Sequence, residues 1–215
     1  MTQVVAGADS AGARLRSPRA WAQLVGGLFG YGLAVVMMIQ SRLGLGPWDA
    51  FHQGLSARAG ISVGAASILT GAAVVALSFG IGIRPGVGTV ANMVLIGWFI
   101  DLLHPWIPVA TGAAWAYAYF IAGIAVCGLS TGVYIAAGLG KGPRDGLMLG
   151  VAARSGWPVR RVRTLIELSA LGVGWWLGGS VGVGTVLFAL GIGPAAQWGL
   201  KVCGVHTGAP AATEP

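Results

Sequence analysis

Six long apolar stretches run along the chain, at 21–40, 62–81, 87–103, 113–137, 159–177 and 183–202, each bounded by short polar segments. At 1.5 Å per helical residue every one of them can reach across most of a bilayer's roughly 30 Å of hydrocarbon, the third being the shortest. Two further helix-compatible segments, Pro47 to Ala59 and Pro143 to Ser155, lie between the first and second stretches and between the fourth and fifth. A helix of that length covers only about 20 Å, so both are expected to be half-helices, either re-entrant or lying at the interface. The pattern predicts an all-α membrane protein with six transmembrane helices and two half-helices.

The two half-helices open on the same words. "GLGPWDAFHQGLSARAG" begins at Gly44 and "GKGPRDGLMLGVAARSG" at Gly140, an offset of 96 residues. In that single ungapped register Pro47, Asp49, Gly54, Arg58 and Gly60 match Pro143, Asp145, Gly150, Arg154 and Gly156. The register survives a whole span and resumes where "GVGTV" at Gly86 matches "GVGTV" at Gly182. Abundant glycine can match itself by chance, but it cannot place Pro, Asp, Arg and Thr in one register. The chain therefore divides into a basic tail at 1–19, a first repeat at 20–105, a second repeat at 112–203, and a C-terminal tail at 204–215 expected to be disordered. Each repeat holds three spans and one half-helix, and three is odd, so the second enters the membrane from the opposite side: the repeats are expected to be inverted. Inverted repeats with discontinuous helices are a recurrent architecture of secondary transporters.

The segments "GLGPWDAFHQGLS", "RPGVGTVANMVLIGWFIDL" and "GKGPRDGLMLG" together resemble the YczE/YyaS/YitT group of bacterial integral membrane proteins. The likeness covers the chain between its tails. It implies a multi-span protein of the bacterial inner membrane and assigns no substrate and no catalytic residue.

Composition agrees with the apolar pattern: mean hydropathy is +0.77 and only 9% of residues are charged, too few to coat a soluble domain of 215 residues. The net charge of +7 is informative by position. Arg14, Arg16 and Arg19, then Arg154, Arg160, Arg161 and Arg163, abut apolar spans, as cytoplasmic flanks do, and form no soluble basic face for nucleic acid. With six spans and both termini cytoplasmic, only Arg42 and Arg58 face outward. If the half-helices crossed as well, Arg42, Arg84, Lys141 and Arg144 would all lie outside. Cys127 and Cys203 lack the spacing of a disulfide framework or a zinc site. The Gly-rich loop at Lys141 lacks the Ser or Thr that a phosphate-binding loop requires, since Gly142 follows. No cofactor, no metal and no enzymatic motif is expected; the partners implied are the lipid bilayer, a small solute or ion, and a homo-oligomer is compatible.

The polar residues within or beside apolar runs are the candidates for a substrate or ion pathway. Asp49 and Asp145 fall in the first turns of the half-helices, facing the positive ends of the helix dipoles. That is either an ordinary helix start or a binding site where two such starts face a shared cavity. His52 and Ser56 follow Asp49 on one stripe, whereas the second half-helix has Met148 and Ala152 there. Thr89 and Thr185 open the third and sixth spans, as caps or as cavity donors. Asn92 lies one turn on, where the second repeat has Phe188. Glu167 stands about 12 Å along the fifth span from Val159 and has Arg163 four residues before it. It is either half of an i,i+4 salt bridge or a titrating group of the pathway. A permease or channel is the function this constellation points to, and the alternative is a non-transporting accessory that binds a partner in the bilayer.

Inverted repeats place the two half-helices on opposite faces. Single cysteines at Ala57 and Ala153 should therefore react with a membrane-impermeant reagent from opposite sides, and reaction of both from one side would contradict the inversion.

Overall fold

The structure, a computed structural model, describes residues 14–83, 85–140 and 142–205. Most of the basic tail and of the C-terminal tail lies outside the described residues. All regular structure among these residues is helical: α1 Pro18–Ser41, α2 Pro47–Ala59, α3 Val63–Gly80, α4 Val87–Leu103, α5 Ala113–Ala136, α6 Pro143–Ser155, α7 Val159–Trp176 and α8 Val183–Val202.

Local signals set these limits. α1 starts three residues earlier than its apolar run, because Pro18 suits the first helical position and the Ser17 hydroxyl accepts from Ala20 N–H at 3.4 Å. The half-helices match each other end for end. Each has a glycine N-cap, Pro47 or Pro143 at its start, and a left-handed glycine at its end: Gly60 at φ 66° and Gly156 at φ 70°. Four helices are long and apolar enough to cross a bilayer, namely α1, α3, α5 and α8. The other two expected spans differ from them for identifiable reasons. α4 has only 17 residues, and α7 carries Arg160, Arg161, Arg163 and Glu167 in its first half.

α1 and α5 form the centre, packed against one another along their length. α4 lies on α1 and α8 lies on α5. α2 packs on α7 and α3, and α6 packs on α3 and α7, so each half-helix is held chiefly by the opposite half of the chain. Exchanging α1–α4 for α5–α8 leaves these pairings unchanged. The interface between α3 and α4, however, has no counterpart between α7 and α8.

The exchange holds at the level of atoms. A methyl group added at Gly27 would lie 2.7 Å from the Tyr134 nitrogen, and one added 96 residues on, at Gly123, would lie 2.8 Å from Met38, the repeat mate of Tyr134. Gly32 abuts Phe99, and its mate Gly128 abuts Ala195, the mate of Phe99. Gly88 N–H donates to the Leu139 carbonyl at 2.9 Å, while Gly184 N–H donates to the Leu43 carbonyl at 2.7 Å. Gly27 meeting Tyr134 while Gly123 meets Met38 requires α1 and α5 to run antiparallel. The apolar core follows the same centre: Leu24, Leu28, Phe99 and Tyr134 pack at one end of α1, and Val35, Met38, Ile100 and Phe120 at the other.

Lipid is as apolar as leucine, so close packing and hydrogen bonds, rather than expulsion of water, must hold these helices together. The helix starts at Gly88 and Gly184 supply both. A methyl group at Gly88 would fall 2.6 Å from the Leu139 carbonyl carbon, and one at Gly184 2.6 Å from the Gly44 oxygen. Gly88→Leu and Gly184→Leu should each lower stability by roughly 2–4 kcal/mol. Gly26→Ala, where an added methyl meets nothing within 4 Å, should be neutral or slightly stabilising. Thermal unfolding of the purified variants in detergent checks the ordering.

Candidate functional site

The N-termini of the two half-helices meet at the exchange axis. Trp48 and Arg144 are repeat mates, and the Arg144 guanidinium carbon lies 4.7 Å from the centre of the Trp48 ring. Tyr31 and Cys127 are also mates, halfway along α1 and α5, and their side chains lie close enough to interact. Two contacts between a residue and its own mate define the axis. Tyr31 lies within electrostatic range of Asp49 and Arg144, and Tyr134 within range of Asp145 and Arg144.

Around the axis Asp49 is 6% exposed and His52 1% exposed. Arg144 Nη2 lies 3.4 Å from His52 Nε2. A guanidinium only donates, so Nε2 is the accepting nitrogen and the proton of the neutral ring sits on Nδ1. Burial pushes the proton affinity of His52 well below the ordinary imidazole range, and the neighbouring Arg144 charge acts in the same direction. Burial raises Asp49, and Arg144 opposes that. His52 Nδ1 is 3.8 Å from Asp49 Oδ1, beyond hydrogen-bond reach. Two buried donors, Trp48 Nε1–H and His52 Nδ1–H, consequently meet no protein acceptor. An unmet buried donor costs about 1–3 kcal/mol, which an incoming acceptor atom recovers.

On the other side of the axis, Asp145, Asn92 and Tyr134 surround the start of α6: a methyl group added at Gly142 would lie 3.5 Å from Asp145 Oδ2, 3.8 Å from Asn92 Oδ1 and 3.9 Å from the Tyr134 hydroxyl. A cavity of about 460 Å³ reaches this point, lined by Thr89, Gly86, Gly142, Pro143 and residues of α3 and α6. The equivalent place at the start of α2 is filled, because the Phe188 ring stands 2.7 Å from where a methyl on Gly46 would be.

The chain matches, over residues 18–201, a family described as a family of unknown function, DUF6198. The chain belongs to this family. One relative is an uncharacterized membrane protein, YczE, of Bacillus subtilis (strain 168), 39% identical over 172 residues, which are 79% of this chain and 80% of the relative. Another is an uncharacterized protein of Haemophilus influenzae, 33% identical over 171 residues, 80% of this chain and 78% of the relative. No solved structure matches. The family match, the named membrane relative and the apolar helices together make this a multi-pass membrane protein.

For this member of the family, the sequence-derived site residues divide into three groups. Asp49, His52, Asn92 and Asp145 come together around the axis. Thr185 is a structural tie: its hydroxyl donates to the Leu45 carbonyl at 2.8 Å and accepts from Gly182 N–H at 3.1 Å. Thr89, its mate, is buried beside Gly140 and lines the cavity. Glu167 stands apart, in a 2.9 Å bond to Arg163 on a half-exposed stripe of α7, which is the salt bridge that the i,i+4 spacing allowed. Ser56 is likewise outside the site, donating to the Ile61 carbonyl. Asp101, on α4, caps α3 by accepting from Ser62 and Gly64.

Sequence reasoning missed Arg144, Trp48, Tyr31, Cys127 and Tyr134. Arg144 was counted among the flanking charges, but it turns inward onto Trp48 and His52. The signal was present: an arginine and a tryptophan one repeat apart, each next to a matched Pro and Asp, can face each other across a two-fold axis.

Proposed function

We propose that the protein is a small-solute or ion permease of the bacterial inner membrane, with six membrane crossings in two inverted halves and both termini cytoplasmic. Its pathway runs between re-entrant α2 and α6, and the protein itself is not an enzyme. The observation that carries this reading is the polar cluster in which buried Asp49 and His52 meet half-buried Arg144 and Asp145, within electrostatic range of Tyr31 and Cys127, near the midpoints of α1 and α5. Charges at that depth are costly, and in membrane proteins they mark solute or ion pathways. The antiparallel run of α1 and α5, which are repeat mates, supports the inversion, and half-helix starts meeting near the midplane are what an inverted-repeat transporter places around its substrate.

The copies also differ where a permease needs them to. A cavity reaches the start of α6 at Gly142, where Asn92 stands nearby, while Phe188, the mate of Asn92, fills the start of α2. That is one face of an alternating-access cycle, open on one side and closed on the other. The accessory reading keeps one observation in its favour: the cavity at the start of α6 and a second between α2, α3 and α7 are walled mainly by apolar side chains, and neither is lined by Asp49, Asp145 or Glu167.

A thermal-stability screen of the purified protein against amino acids, carboxylates, sugars, small amines and inorganic ions tests the proposal. At least one solute should stabilise the wild type, and the concentration needed should rise about tenfold or more in Asp49→Asn and in Arg144→Gln, consistent with loss of one buried charged contact. Glu167→Gln should leave that response intact. If every solute fails on the wild type, or if Asp49→Asn and Arg144→Gln respond as the wild type does, the pathway assignment is wrong.

A further inference from the structure

α3 and α4 pack because glycines let them. A methyl group added at Gly97 would lie 2.5 Å from the Gly64 carbonyl oxygen, and one added at Gly71 would lie 2.5 Å from Met93 Cγ. Asp101 fastens the end of the interface, accepting from the Ser62 hydroxyl at 2.5 Å and from Gly64 N–H at 2.8 Å. Ninety-six residues on, Gly64 is replaced by Arg160, Gly71 by Glu167, Ser62 by Pro158 and Asp101 by Gln197. None of the close contacts can form between α7 and α8. At Gly193, the mate of Gly97, an added methyl meets no atom within 4 Å. Only Val162 and Gly174 of α7 are buried, and half of the residues of α8 are exposed. The two helices, joined by the short link at 177–182, both touch one core cluster, α7 through Leu171 and α8 through Leu187 and Phe188, but form no interface with each other like that of α3 and α4, which leaves a groove between them.

The groove carries charge at one end. Because α7 and α8 are consecutive and joined by that short link, the first turn of α7 and the last turn of α8 lie at the same end. Arg160, Arg161 and Lys201 stand there, all exposed, where the first half has Gly64, Ala65 and Pro105. Arg163 is already engaged by Glu167. Trp157, 52% exposed, sits just before them and suits the level of the membrane surface.

We propose that the groove between α7 and α8 binds an anionic phospholipid of the surrounding bilayer, its acyl chains along the groove and its phosphate at Arg160, Arg161 and Lys201. Hydrocarbon must fill an apolar groove inside a membrane, and basic clusters beside spanning helices select anionic headgroups. A second copy of the chain is the poorer occupant. Two copies in the same membrane orientation, related by a two-fold axis along the membrane normal, would bring both cationic clusters to one depth at the shared interface. The proposal rests on the six-span reading to the extent that α7 and α8 both cross the bilayer.

Native mass spectrometry of the purified full chain, with phosphatidylglycerol or phosphatidylcholine added in detergent, is the test. The wild type should retain phosphatidylglycerol in preference to phosphatidylcholine. The triple variant Arg160→Gln, Arg161→Gln, Lys201→Gln should bind phosphatidylglycerol roughly thirtyfold or more weakly. Arg42→Gln with Arg58→Gln should bind it normally. Gly193→Leu fills the groove without touching the charges and should also lose the lipid, which keeps the test decisive if the triple variant folds poorly. Inorganic phosphate should not compete. Equal retention of both lipids, unchanged binding in Gly193→Leu, competition by inorganic phosphate, or a lipid-free dimer sealed at this face would each overturn the proposal. Cysteines at Ser155 and Ser180 should label from opposite sides of the membrane; labelling from one side would mean that α7 does not cross, and would overturn the topology as well as the lipid site.

Discussion

How closely α1 can approach α5 decides the rest of the molecule. In hydrocarbon two apolar helices gain little from hiding each other's surface, so their association depends on backbones coming near enough for dense packing. Gly27 and Gly123 permit this at equivalent points, each receiving the mate of the residue that the other receives. Because the same contact is made twice, the antiparallel pair generates a two-fold axis, and every other element is placed by that axis. α4 and α8 take the outer flanks through Gly32 and Gly128. α2 and α6 are then carried across to the opposite half, where their N-termini converge.

Convergence at an axis gives residues a property they would not otherwise have: a side chain there meets its own counterpart. Trp48 meets Arg144 and Tyr31 meets Cys127, so divergence between the copies produces a complementary pair at each point. The same logic explains why the site is lopsided. His52 against Met148, and Asn92 against Phe188, give one half polar reach and the other an apolar plug. Symmetry supplies the frame and asymmetry supplies the chemistry. The unpacked face of α7 and α8 is the same divergence at the periphery, where Arg160 and Glu167 stand in place of two glycines that close the first half.

Much of this was legible in the chain because the signals are local. Pro47 and Pro143 start helices and Gly60 and Gly156 end them by backbone preference alone, so the half-helices fall where the repeat placed them. The pairing of Glu167 with Arg163 follows from helical spacing in the same way. Arg144 was not legible, since counting charges along a sequence assigns each to a membrane face and cannot see one fold back onto an aromatic ring from the other repeat. Tyr31, Cys127 and Tyr134 were hidden for a related reason: within an apolar run nothing local distinguishes a lipid-facing residue from one on an axis. α4 and α7 show the limit of reading apolar runs from length and hydropathy, since one has only 17 residues and the other carries Arg160, Arg161, Arg163 and Glu167 in its first half.

Disulfide trapping addresses the central claim most directly. In a chain with Cys127 and Cys203 replaced by alanine, cysteine pairs at Gly27 with Tyr134 and at Met38 with Gly123 should both cross-link under mild oxidation, since both pairs sit within disulfide range only if α1 and α5 run antiparallel about the axis. A pair at Gly27 with Gly123 should not. Efficient cross-linking of Gly27 with Gly123, without the other two, would mean that the mates lie side by side in parallel, and the inverted frame on which the site depends would be wrong.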